Sequence, residues 1–171
     1  MKEFELSGKL GSGLIATVDD EDLETVLKYK WYPMIRVGTT YARTGRVIGE
    51  SHKSVLLHRL ILGLTDPKII VDHKDHNGLN CRKNNLRICT SSENNSNCFP
   101  QIGRSSKYKG VSWHKSTKKW IAKIRKDKKD IHLGVFEIEI HAAIAYDSAA
   151  KVLFGKYAYL NFQRAPFASY K

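Results

Sequence analysis

The stretch from Ile69 to Cys98, IIVDHKDHNGLNCRKNNLRICTSSENNSNC, cannot build a core of its own. Ile69, Ile70, Val71, Leu86 and Ile88 supply two brief strands, and the residues between them are dominated by Asn and Asp, whose side chains bond the neighbouring backbone and favour turns. Thr90-Ser91-Ser92-Glu93 then offers a helix cap with an acid at the third position after Thr90. Strand, long loop, strand and short helix is the expected order.

The surroundings are richer. With 171 residues, 42% of them hydrophobic, the chain has material for one domain or two small ones and is not a disordered polyelectrolyte. No stretch approaches the roughly 18 consecutive apolar residues of a membrane span, and the start, MKEFELSGKL, lacks the apolar run of a secretory signal. An intracellular protein with no membrane partner is expected. Cys81, Cys89 and Cys98 make neither a C-x-x-C pair nor an even disulfide framework, so reduced thiols are expected. Residues 3–17, with Gly8, Gly11 and Gly13, read as two short strands around a glycine-rich turn. Asp19-Asp20-Glu21-Asp22 precedes a helical stretch through Leu23, Val26 and Leu27, where a negative first turn suits the macrodipole. WYPMIRV and TTYARTG are strand-like; KSVLLHRLILGL fits a strand or a helix.

Specific chemistry concentrates between Asp72 and Asn94. A hard cation such as Mg²⁺ wants oxygen ligands and keeps several waters, and one carboxylate with one amide oxygen meets that need. Asp72 and Asn94 are candidates for the pair. His73 adjoins the first, and an imidazole is the side chain best suited to deprotonate a water attacking phosphorus. The block VDHKD, then NNLR, then SSENNSN resembles the HNH nuclease motif of the ββα-metal fold, closest to the phage and intron homing-endonuclease branch in which the last histidine is replaced by asparagine. The resemblance makes His73, Asn85 and Asn94 the three letters. It implies that Asp72 and Asn94 hold one metal bridging the scissile phosphate and its leaving 3′ oxygen, that His73 is the general base, and that Asn85 braces the loop. Asparagine at the third letter replaces a nitrogen ligand by a neutral oxygen, so Mg²⁺ or Mn²⁺ is expected over Zn²⁺.

Consecutive strand residues point to opposite faces, so Asp72 and His73 meet one phosphate only if the chain leaves the strand between them; the loop is expected to begin there. His58, in LLHRLIL, belongs to the pattern of this branch but sits in an apolar run and reads as a structural histidine. His76 and Asp75 lie in the loop of His73 and default to solvent. His58 and His76 are kept as accessory candidates. The remaining asparagines read as turn formers.

Charge is the second guide. The chain carries +12 overall, and residues 104–132 hold eleven Lys/Arg against Asp127 and Asp130. A basic run alone fits a solvated face, but here Tyr108, Trp113, Trp120 and His132 interleave with it, which favours phosphate neutralisation. In WIAKIR, alternation sets Trp120, Ala122 and Ile124 on one face and Ile121, Lys123 and Arg125 on the other. From Glu139 onward Ala142, Ala143, Ala145, Ala149 and Ala150 make a small-residue helix that lets a sheet approach closely. The YKGV opening, WIAKIR, LGVF, AAIAYDSAA and the closing LNF of residues 108–162 resemble the plant ethylene-response-factor (APETALA-type) DNA-binding domain, which implies a three-stranded antiparallel sheet packed on one helix and inserted in the major groove. Lys123 and Arg125 are the expected groove contacts, with Lys109, Trp113, Lys115 and Lys119 in support and Lys126, Lys128 and Lys129 on phosphates.

The expected molecule is α+β: a small mixed N-terminal region over 1–57, a ββα-metal nuclease core over 58–98, a linker over 99–106, a sheet-plus-helix DNA-binding domain over 107–163 and a tail over 164–171. Its expected activity is divalent-metal-dependent hydrolysis of a phosphodiester in double-stranded DNA. One site per chain and no evident protein partner favour a monomer that nicks one strand. The resemblance implies a homing or phage-borne element, hence the cytoplasm or nucleoid of a bacterial host. The alternative is a DNA-binding regulator whose nuclease block has decayed into scaffold.

Overall fold

A computed structural model describes residues 1–44, 54–101 and 103–162. The proposed tail over 164–171 lies outside these residues. The chain divides into two compact units, Met1–Thr90 and Ser91–Lys171, and both mix helix and strand. No helix among the described residues is long and apolar enough to cross a membrane, and all three cysteines are free.

Among its described residues the first unit has three two-stranded antiparallel ribbons and two short α-helices. β1 (Lys2–Glu5) pairs with β2 (Ile15–Val18), α1 (Leu23–Leu27) follows a 3-10 turn over Asp20–Asp22, and β3 (Trp31–Arg36) pairs with β4 (Thr39–Thr44). The ambiguous LLHRLIL run resolves as a helix, α2 (Leu57–Ile61). β5 (Ile70–His73) pairs with β6 (Leu86–Cys89). Leu6, Ala16, Val18, Val26, Trp31, Ala42, Leu57, Leu79 and Cys81 form one buried cluster, drawn from every ribbon of the N-terminal region and from the polar loop 74–85. The Trp31 indole donates to the Val26 carbonyl at 2.8 Å, satisfying its one polar atom inside that core.

Residues 1–44 thereby acquire a structural purpose. Thr17 of β2 donates its N–H to the Leu79 carbonyl at 2.9 Å and accepts from the Cys81 N–H at 2.8 Å. Thr39 Oγ1 bonds the His76 carbonyl and accepts from the Gly78 N–H. Gly78 packs so closely on the β3–β4 ribbon that a Cβ there would lie 2.5 Å from the Thr40 carbonyl oxygen. The acidic run differs from expectation: Asp19 accepts from Arg82 Nε at 3.1 Å and from the Lys83 N–H at 2.8 Å, so it grips the loop instead of merely complementing a helix.

In the second unit, α3 (Ser91–Asn97) is joined to the segment after the long helix α4 (Glu139–Phe154): Ser96 Oγ donates to the Tyr157 carbonyl at 2.8 Å, and the Ser96 carbonyl accepts from Tyr159 N–H at 3.1 Å. The contact division therefore falls inside 58–98, a stretch the sequence reading treats as one core. β7 (Val111–His114), β8 (Lys119–Lys126) and β9 (Lys129–Phe136) form one antiparallel sheet in the order β7-β8-β9. Val111 and Ala122 pack on Ala142 and Ala143, and Ile124 packs on Tyr146 and Ala150. Asp147, 8% exposed, accepts from the Asn161 N–H, the Asn161 amide and the Phe162 N–H, which gives the closing LNF its role as a clasp.

Gly110 has φ +77°, and a Cβ on it would come within 1.9 Å of the Tyr146 ring. Gly110→Ala is expected to destabilise the second unit by roughly 2 kcal/mol or more, through left-handed strain plus overpacking, measurable as a lowered denaturation midpoint.

Candidate active site

The structure keeps both Asp72 and His73 in the strand, correcting the expectation that the chain leaves it between them. Asp72 pairs in register with Arg87 and His73 with Leu86, and the Lys74 N–H still bonds the Asn85 carbonyl. The ladder continues because the loop's turns are made later, by Asp75 and Asn77 side chains capping the N–H groups of Asn77 and Leu79 and by His76 at φ +65°. Asp72 and His73 therefore face opposite sides of the ribbon.

On one side, the Asp72 carboxylate accepts from Arg87 Nε at 2.7 Å and Nη2 at 2.5 Å, with both side chains at most 10% exposed. This buried ion pair escaped the sequence reading, although NNLR contains it; the clue was the hairpin register that sets opposite charges directly across from one another. Asp72 keeps the donor chemistry a hard cation wants, and a cation arriving there competes with or joins Arg87.

On the other side, His73, 5% exposed, meets the Tyr41 ring at a tilt of 57° with 5.6 Å between ring centroids and His58 edge-on at 5.0 Å. Its Nε2 lies 3.9 Å from Cys81 Sγ. Burial holds the His73 imidazolium below its ordinary 6.5, despite the negative charges of Asp75 and Asp72. A neutral imidazole is the form that accepts a proton. His58 is pushed down to about 3 by burial, then by the positive charges of His73 and Arg59, and among the described residues its Nδ1 has no hydrogen-bond partner. It is buried, as an apolar run demands. Burial and then Asp75 push the Cys81 thiol up to about 12. Cys81 was missed, since a lone reduced thiol gives no sequence signal.

Asn85, 7% exposed, ties the loop together: Nδ2 donates to Asp75 Oδ1 at 2.9 Å and to the Asn80 carbonyl at 2.8 Å, while Oδ1 accepts from the Asp75 N–H at 3.1 Å. Asn80 also donates to Asp75 Oδ2 at 2.7 Å. Asn94 lies on α3, in the second unit. His76 contributes a turn through its backbone, bonding the His73 carbonyl at 3.0 Å.

In the second unit the alternation of β8 is realised: Ala122 and Ile124 are buried while Lys123 and Arg125 are exposed, with a bulge between Ala122 and Lys123. Trp113, 39% exposed, meets Trp120 edge-on at 5.0 Å. Arg125 faces Asp130 at 3.6 Å across the ladder, an exposed pair. Lys115, Lys128 and Lys129 are exposed; Lys119 and Lys126 are half-buried. Lys109 is reassigned: its ammonium donates to the Ser96 and Cys98 carbonyls at 2.7 Å and to Asn95 at 3.1 Å, closing the C-terminal end of α3, so it is spent inside the protein.

Two outcomes follow. Asn85→Ala removes the partner of the Asp75 N–H and of the Asn80 carbonyl and is expected to cost about 2–3 kcal/mol in chemical denaturation. Because the depressed His58 stays neutral in the folded state, the unfolded chain binds the extra proton below 6.5, so stability is lost as pH falls from about 6.5 towards 3. His58→Gln flattens that slope in melts recorded across this range.

Comparison with known proteins finds a nuclease family over this part of the chain. The HNH endonuclease family model matches residues 55–96. An uncharacterized HNH endonuclease of Acanthamoeba polyphaga mimivirus is 32% identical over 163 residues, covering 92% of this chain and 80% of its own. An ethylene-responsive transcription factor of Arabidopsis thaliana is 47% identical over 62 residues, 35% of this chain and 34% of its own, and a dehydration-responsive element-binding protein of the same plant is 44% identical over 59 residues, 33% and 28%. The chain thus spans about a third or less of these plant factors. With a strand pair ending in Asp72-His73, a loop tied by Asn85 and a relative matched over most of both lengths, the protein belongs to the HNH endonuclease family and is a nuclease.

Proposed function

We propose that the protein is a homing-type endonuclease that hydrolyses one phosphodiester bond in double-stranded DNA with a divalent ion, Mg²⁺ or Mn²⁺. The observation that carries this is the Asp72-His73 step at the end of β5, followed by a loop that Asn85 ties together, inside the stretch that matches the HNH endonuclease family. His73, held neutral by burial, takes the proton of the attacking water. Asp72 supplies one oxygen ligand; Asn94 is carried as the second because it falls within the residues matched to the family. Asp72 and Asn94 would hold such an ion, which would supply Lewis-acid stabilisation of negative charge. Asn85 keeps the loop in shape, so that His73 is presented on a rigid strand. Domain roles follow the sequence reading: a nuclease core over 58–98, a linker over 99–106 and a DNA-holding module over 107–163.

That module is supported by the partial likeness to plant transcription factors and by its charge. Lys123 and Arg125 stand out from β8, Trp113 is open to stack, and Lys115, Lys119, Lys126, Lys128 and Lys129 serve phosphates. Phosphate contacts position the duplex and leave the sequence unread.

Supercoiled plasmid with Mg²⁺ tests the reading. Wild type is expected to yield relaxed circles, and His73→Ala to yield none while melting cooperatively and retarding DNA as wild type does. Wild type inert across Mg²⁺ and Mn²⁺ rejects it and favours a DNA-binding regulator. Binding should weaken steeply with salt, and Lys123→Ala should lower the log–log slope by about one; an unchanged slope removes Lys123 from the interface.

A further inference from the structure

We propose that His58, His73 and Cys81 form a three-ligand site for a borderline-soft divalent ion of the zinc class, and that filling it silences the nuclease by engaging the His73 imidazole. The silencing rests on the catalytic role given to His73 above; the site itself does not.

The three side chains come from α2, the end of β5 and the loop 74–85, and their ligand atoms all lie within 4.8 Å of one another. In a tetrahedral zinc site, bond lengths of about 2.3 Å to sulfur and 2.0–2.1 Å to nitrogen put sulfur and nitrogen about 3.6 Å apart. Cys81 Sγ and His73 Nε2 stand at 3.9 Å, so a shift of a few tenths of an ångström suffices. The ring planes of His58 and His73 cross at 87°, an arrangement in which two imidazoles converge without stacking.

Donor chemistry selects the ion. Two imidazoles and a thiolate suit zinc and disfavour Mg²⁺, which prefers oxygen, so the proposed catalytic ion and this one do not compete for the same atoms. A second observation supports a ligand: His58 is 6% exposed, yet among the described residues its Nδ1 has no hydrogen-bond partner, so this imidazole is not committed to a hydrogen-bond network on both sides. The local field also suits a cation. Asp75 acts on both His73 and Cys81, and Asp72 on His73; the opposing charge is Arg59, whose guanidinium is turned to the Ile69 and Asp66 carbonyls. On binding, the Cys81 proton passes to solvent, the two imidazoles remain neutral, and the dication with one thiolate leaves a single net positive charge and a fourth position for water.

Full-length protein, reduced and stripped of metal, is titrated with Co²⁺ as the probe. Wild type is expected to develop visible d–d bands and a near-ultraviolet thiolate-to-cobalt band, both bleached by Zn²⁺. Cys81→Ser should lose the thiolate band, whereas Cys89→Ser and Cys98→Ser keep it. His58→Gln should weaken Co²⁺ binding about tenfold or more, which guards against a misfolded Cys81 variant. In plasmid nicking with Mg²⁺, added Zn²⁺ should stop wild type and leave Cys81→Ser active. A wild type with no thiolate band, or a band that survives Cys81→Ser, overturns the site. A band lost in Cys81→Ser, with both proteins equally sensitive or equally indifferent to Zn²⁺ in nicking, overturns the silencing and leaves the ion site standing. Wild type that never nicks defeats the nuclease reading alone, since the cobalt titration still decides the site.

Discussion

Thr17 holds the loop 74–85 by two backbone bonds, one to the Leu79 carbonyl and one from the Cys81 N–H, and the architecture of the first unit depends on that grip. A polar loop of this length has backbone groups that must find partners and too few apolar residues to hide them. Its partners come from elsewhere: β2 on one side, Thr39 and the β3–β4 ribbon on another, and Asp19 on Arg82 and Lys83. Once it is docked, Leu79 and Cys81 enter the core, and the end of β5 meets a shaped wall instead of solvent.

That wall gives the Asp72-His73 step two different environments. Asp72 looks onto a guanidinium, His73 onto aromatic rings and a thiol. Neither is a solvated group waiting for substrate. The Asp72–Arg87 pair is buried enough that removing the carboxylate leaves an uncompensated charge. His73 is instead tuned by desolvation, which favours the neutral base over the imidazolium.

The second unit uses simpler means. A two-sided sheet buries its small and aliphatic residues against an alanine-rich helix and leaves its charged side chains outward, and the alternation of WIAKIR could be read directly because burial of one face is a local, period-two property. Lys109 shows where such reading stops. By composition it belongs with the other basic residues, yet it lies opposite the open C-terminal carbonyls of α3, and three hydrogen bonds outweigh what a charge pattern suggests.

By itself the sequence determined the strands, turns and helices whose signals are local: the glycine-flanked β1–β2 pair, the short α3, the alanine face of α4, and the strand–loop–strand block that resembles HNH nucleases. The helix at Leu57–Ile61 was undecided because a short apolar run packs equally well either way until its neighbours are known. Tertiary structure alone decided that Asp72 pairs with Arg87, that the strand runs on through His73, that β2, Asp19 and the β3–β4 ribbon cradle the loop, and that His58, His73 and Cys81 meet. Each is a pairing between residues distant in the chain. Hydrophobic period and turn propensity act over a few residues, whereas such encounters are set by which surfaces must be buried together when the whole unit closes.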